Sequence, residues 1–91
     1  MPAQEIEIIN KLGLHARASA MFVGIAGQFK ETTIRVGRTP ESTIDGKSIM
    51  AMMMLAAGKG TKIYLETEGE QAQEAMDALV ALINNFFDEG G

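Results

Sequence analysis

The stretch EIEIINKLGLHARASAMFVGIAGQ, residues 5–28, changes its hydrophobic period part-way along, and that change sets the fold. Glu5-Ile6-Glu7-Ile8 alternates polar with apolar, the pattern of a strand with one buried and one wet face. From Ala16 to Gln28 the spacing lengthens: Ser19, Phe22, Val23 and Ala26 recur at helical intervals, and Gly27 stands where the helix is expected to stop. A half-buried strand followed by an amphipathic helix predicts a helix laid over one face of a sheet.

The same two periods recur downstream. Thr33-Ile34-Arg35-Val36 and Lys62-Ile63-Tyr64-Leu65-Glu66 alternate as the first strand does, and Glu41 to Asp45 gives a short strand after an Arg38-Thr39-Pro40 turn. Ser48 to Ala57 is a helix-length apolar run closed by Gly58-Lys59-Gly60. Glu70 to Phe87 sets Ala72, Met76, Leu79, Ile83 and Phe86 on one stripe behind an acidic first turn, before an Asp-Glu-Gly-Gly tail expected to fray. The order βαββαβα predicts an α+β fold, an antiparallel or mixed sheet with helices on one face. With no repeat and no linker, residues 1–91 are expected to form one domain.

Composition narrows the function. The chain has no cysteine, which excludes disulfides and thiolate metal sites, and one histidine among scattered carboxylates makes a poor metal cage. Neither a metal nor a cofactor is expected. A net charge of -4 and a single tyrosine argue against a nucleic-acid partner, which calls for clustered cations and stacking aromatics. The N-terminal MPAQEIEIIN has no basic region leading into an apolar core, and no run approaches the roughly 20 apolar residues that span a bilayer. No membrane insertion is expected, and the cytoplasm is the expected location.

The single histidine lies where strand gives way to helix, in Gly13-Leu14-His15-Ala16-Arg17. A helix starting at Ala16 leaves its first N–H groups unpaired beside His15, an arrangement that favours anions. Arg17 adds a fork of donors matched to phosphate oxygens. An imidazole is also a nucleophile able to carry a covalent intermediate, and Gly13 allows a tight turn just ahead. On spacing alone the plainer reading also stands: His15 as a serviceable helix-start residue and Arg17 as a solvated charge.

Gly13-Leu14-His15-Ala16-Arg17, continued by Ala18-Ser19-Ala20, resembles the phosphorylation motif of the HPr family, the histidine-containing phosphocarriers of the bacterial phosphotransferase system. Lys47-Ser48-Ile49-Met50 resembles that family's regulatory serine segment, and the likeness extends over nearly the whole chain. The resemblance implies an open-faced β-sandwich, with a four-stranded antiparallel sheet and three helices on one side. It implies that His15 accepts a phosphoryl group from Enzyme I as a pros-phosphohistidine and passes it to an enzyme IIA component, with Arg17 stabilising the group. It further implies phosphorylation of Ser48 by HPr kinase/phosphorylase. Partner docking would run through Ala20, Ile49, Met50 and Met53. The chain departs from the family pattern at Ala18, where proline is usual; alanine there favours the helix more strongly.

Two local readings stand beside the resemblance. Ser48 is a plain helix cap on its own terms, its hydroxyl accepting from a backbone N–H two or three residues on. Asp45-Gly46-Lys47-Ser48 looks like the end of a phosphate-binding loop, but Glu41 stands where that motif needs glycine. Ile49 to Leu55 is apolar all round, so periodicity leaves open whether it is a buried core helix or an adaptable docking surface rich in methionine. An enzyme acting alone is disfavoured, since there are no paired carboxylates and no second imidazole. A non-catalytic binding module and a nitrogen-branch phosphocarrier are the alternatives to a sugar-branch carrier, which is expected to be a monomer.

Overall fold

The computed structural model describes residues 2–55 and 57–88. In chain order it holds β1 (Ala3–Glu7), α1 (Ala16–Ala26), β2 (Thr32–Thr39), β3 (Ser42–Asp45), α2 (Ile49–Met54), β4 (Lys62–Gly69) and α3 (Ala72–Asn84), then a short turn over Phe86–Asp88. The strands form one sheet in the order β1-β4-β2-β3, every neighbouring pair antiparallel. This is the expected βαββαβα arrangement, and of the two expected sheet types the structure has the antiparallel one.

Alternation places the core. Ile6 pairs with Ile63, and Val36 with Leu65, so their side chains rise from one face of the sheet and are buried there with Ile34. Phe22 and Ala26 of α1, Met52 of α2, and Ala75, Met76, Leu79 and Ile83 of α3 cover that face. Each large side chain so buried contributes roughly 1.5–3 kcal/mol of hydrophobic stabilisation. The opposite face is wet and charged. Arg35 lies 2.7 Å from Glu66 and 3.0 Å from Glu68, and Tyr64 donates its hydroxyl proton to Glu66 at 2.9 Å. The Glu68 contact raises the Arg35 guanidinium further, and acceptance by Glu66 holds the Tyr64 phenol above its ordinary value.

Several boundaries differ from the sequence reading. Arg38 and Thr39 lie in β2 rather than in a turn, and Glu41 is a turn residue, leaving Pro40-Glu41 as a two-residue hairpin. An irregularity in the β2–β3 register between Gly37 and Thr39 carries the pairing that far, and Gly37 is required there because a Cβ would lie 2.1 Å from the Ser42 carbonyl oxygen. Helix α1 stops at Ala26, with Gln28 outside it. Helix α2 is six residues rather than the expected Ser48–Ala57 span, of which Ala56 lies outside the described residues. The chain leaves the helix so that the Ala57 carbonyl can accept from Leu14 N–H at 2.8 Å.

Helix α3 begins at Ala72, so Glu70 precedes it and only Glu74 is acidic in its first turn. It ends at Asn84 instead of Phe87. A kink with left-handed angles at Phe86, Phe87 and Asp88 then turns Phe87 fully into the core and leaves Phe86 half-buried, the reverse of the expected stripe. Asparagine pairs such as Asn84-Asn85 compete for backbone hydrogen bonds and so suit a helix end. The Glu89-Gly90-Gly91 part of the tail lies outside the described residues. Among the described residues no helix is long and apolar enough to cross a membrane.

Candidate functional site

His15 is the N-cap of α1, in extended conformation at φ -73° and ψ -179°. Its imidazole does not cap the helix, and the first helical bond runs from Ser19 N–H to the His15 carbonyl at 2.9 Å. The N–H groups of the intervening first turn therefore have no partner within the helix and face outward at its positive end. The ring is half-buried, with Ala16, Arg17 and Ala20 exposed beside it. The imidazole, the start of α1 and Arg17 thus lie together on one accessible stretch of the chain.

The loop that presents His15 is fixed from both sides. Gly13 adopts φ +66°, and a Cβ there would stand 2.5 Å from the Ala57 carbonyl oxygen. Only glycine meets both demands without strain. Asn10 is fully buried, its Nδ2 donating to the Gly13 carbonyl at 2.8 Å, while Gly13 N–H returns a bond to the Asn10 carbonyl at 3.1 Å. Ser19, also fully buried, donates its hydroxyl proton to the Leu14 carbonyl at 3.1 Å. Leu14 itself is sunk in the core. Buried polar groups that find partners in this way hold the backbone to one conformation. Sequence reasoning placed Ser19 only on a helix face and did not single out Asn10; the Asn-x-x-Gly spacing ahead of the histidine is the pattern that would have flagged the turn.

The second predicted site has the expected local geometry. Ser48 caps α2 in extended conformation, and its Oγ accepts from Ala51 N–H at 3.2 Å. Lys47 is tethered away from any phosphate cradle: its ammonium donates to the Phe29 carbonyl at 2.7 Å, and its N–H donates to Asp45 at 2.9 Å.

The methionine helix divides sharply. Met52 is fully buried, whereas Ile49, Met50, Met53 and Met54 are 40%, 69%, 45% and 79% exposed. Leu12, in the His15 loop, is 66% exposed. Helices α1 and α2 pack on one another, and the Leu14–Ala57 bond ties the His15 loop to the segment that follows α2. The three predicted apolar docking residues of α2 therefore lie at the surface. Met54 and Leu12 are exposed as well and went unpredicted: a run apolar on every side gives no period from which to choose the face of Met54, and Leu12 lies in a turn that has no period. Concentrated exposure of large apolar side chains marks an interaction surface.

Comparison with known proteins adds to this geometry. Residues 2–85 match the family described as the PTS HPr component phosphorylation site. Phosphocarrier protein HPr of Pseudomonas aeruginosa is 71% identical over 90 residues, covering 99% of each chain. Phosphocarrier protein NPr of Escherichia coli is 40% identical over 87 residues, covering 94% of each. Among solved structures, HPr-C-His from Thermoanaerobacter tengcongensis superposes with a TM-score of 0.90 at 42% identity, covering 98% of each chain.

Proposed function

This chain belongs to the HPr family of phosphotransferase-system phosphocarriers, and from that premise we propose that it accepts a phosphoryl group from Enzyme I on His15 and passes it to an enzyme IIA component. The observation that carries the reading is His15 at the cap of α1, its loop clamped by Asn10 and Ser19 and its neighbouring helix amides unpaired within the helix. Nδ1 of His15 attacks the phosphorus of the donor; the N–P bond forms as the bond to the donor breaks and the donor keeps that electron pair. The same exchange, run toward the acceptor, returns the imidazole. Outward N–H groups and the Arg17 guanidinium hold the phosphoryl oxygens between the two events. A carrier needs no further catalytic group, since its partners supply the rest of each transfer site.

Ala20, Ile49, Met50 and Met53 form the docking face used by donor and acceptor in turn. Their exposure supports this, as does the polarisable and adaptable character of methionine toward unlike partners. A carrier that must offer one face to two partners works best as a monomer, and it meets these partners in the cytoplasm. Phosphorylation of Ser48 by HPr kinase/phosphorylase would set about two negative charges beside Ile49 and Met50 and repel partners without unfolding the chain. The identity of 71% to an HPr against 40% to an NPr favours the HPr branch over the nitrogen-related one.

The test is incubation with Enzyme I and phosphoenolpyruvate, read by intact mass before and after mild acid, on wild type and His15→Ala. One acid-labile phosphoryl adduct on wild type alone is the expected result. No adduct on either protein, with Enzyme I active on a control carrier, would overturn the reading in favour of a non-catalytic binding module.

A further inference from the structure

The phosphoryl chemistry at His15 makes no use of the sulfur on α2. The chain has no cysteine, so its seven methionines hold all of its sulfur. Met52 and Met76 are 0% and 3% exposed, and Met21 is half-buried. Met50, Met53 and Met54 stand apart at 69%, 45% and 79%. They occupy positions i, i+3 and i+4 of α2, which puts the three thioethers on one face of the helix. Oxidation of methionine needs access to the sulfur lone pair and converts an apolar, flexible side chain into a polar one.

We propose that Met50, Met53 and Met54 form a modification site at which a hydroperoxide converts the docking face beside His15 into a polar surface, and methionine sulfoxide reductases restore it. The chemistry rests on exposure alone; its consequence rests on the carrier reading above. In each event the sulfur lone pair attacks a peroxide oxygen, an S–O bond forms and the O–O bond breaks, and the departing oxygen leaves as water or alcohol. The sulfur loses two electrons and the peroxide gains them. Because Met52 is the α2 methionine that sits in the core, the other three can change polarity without opening it. The modification thus acts on docking and leaves the fold in place.

The experiment treats the purified protein with hydrogen peroxide, maps oxidised peptides against time, and measures the initial rate of Enzyme I-dependent phosphorylation at low carrier concentration. Met50 and Met54 are expected to oxidise first, then Met53, with Met21 behind and Met52 and Met76 last. Protein carrying the three exposed sulfoxides is expected to accept phosphate on the order of tenfold more slowly, the effect of about 1.4 kcal/mol of lost docking. Its unfolding midpoint is expected to stay put, and sulfoxide reductase with a dithiol is expected to restore the rate. In M50L/M53L/M54L, each rate taken relative to the variant's own untreated sample, peroxide is expected to leave the ratio near one.

Oxidation without preference among the mapped methionines would overturn the site. An unchanged rate in oxidised wild type, an equal loss in the triple variant, or a fall in unfolding midpoint would overturn the docking effect. Failure of the untreated protein to accept phosphate would instead overturn the carrier reading and the docking effect with it, while the peptide map still decides the modification site.

Discussion

Helices α2 and α3 are both rich in apolar residues, yet they use them in opposite ways. Helix α3 runs for 13 residues and buries Ala75, Met76, Leu79, Leu82 and Ile83 along one stripe, with Gln73, Glu74, Asp77 and Asn84 exposed. Helix α2 runs for six residues, buries Met52, and turns Ile49, Met50, Met53 and Met54 outward. Apolar surface left in water contributes nothing to folding, so the composition of α2 exceeds what the core can use. The difference teaches that an apolar helix is informative by its surplus: α3 is accounted for by packing, and what packing leaves unexplained in α2 is the candidate docking face.

The sharpest way to break this contrast is to cut back two adjacent methionines of α2. Met52→Ala opens a cavity in the core and is expected to cost about 2–5 kcal/mol. Met53→Ala, one residue on, is expected to change stability by less than about 0.5 kcal/mol while slowing transfer from Enzyme I. Urea unfolding midpoints check the first quantity and phosphorylation rates the second. Equal stability losses would put both side chains in the core and remove the case for a surface.

How much of this was legible in the sequence follows from where each determinant lies. The strands were readable because Ile6, Ile34, Val36, Ile63 and Leu65 alternate with polar neighbours, and most of the α3 stripe because Met76, Leu79 and Ile83 keep helical spacing. The end of α2 was not readable: Arg38 donates to the Leu55 carbonyl at 3.2 Å and Leu14 to that of Ala57, and both partners come from distant segments. The exchange of Phe86 for Phe87 depends on a left-handed kink that no local period encodes. At the site, the cap position of His15 and the turn at Gly13 are local and were foreseen. The grip of Asn10 and Ser19 was not, because both hold backbone carbonyls, whose directions exist only once the turn is formed.

The two helices also start differently, which gives a finer test. Ser48 caps α2 through Ala51 N–H, and in a helix of six residues one cap bond serves a large share of the exposed amides. Ser48→Ala is expected to cost about 1 kcal/mol, seen as a lower urea midpoint with an unchanged slope. No loss at all would mean that α2, like α3, is held by packing alone.

Helix α3 has no such cap. Gln71 precedes it in left-handed conformation at φ 60° and ψ 24°, makes no side-chain cap bond, and contributes only its carbonyl, which accepts from Ala75 N–H at 2.9 Å. A non-glycine residue in that region carries about 1–2 kcal/mol of strain, which Gln71→Gly would relieve. Against this, glycine adds roughly 0.5–1 kcal/mol of chain entropy to the unfolded state. The strain is the larger of the two, so the expected outcome is a gain of up to about 1.5 kcal/mol over wild type. That tolerance is what a helix anchored by Leu79 and Ile83 should show, because its start bears little of its stability. A loss in urea unfolding would mean that the Gln71 side chain secures the helix start, and that α3 depends on its terminus as much as α2 depends on Ser48.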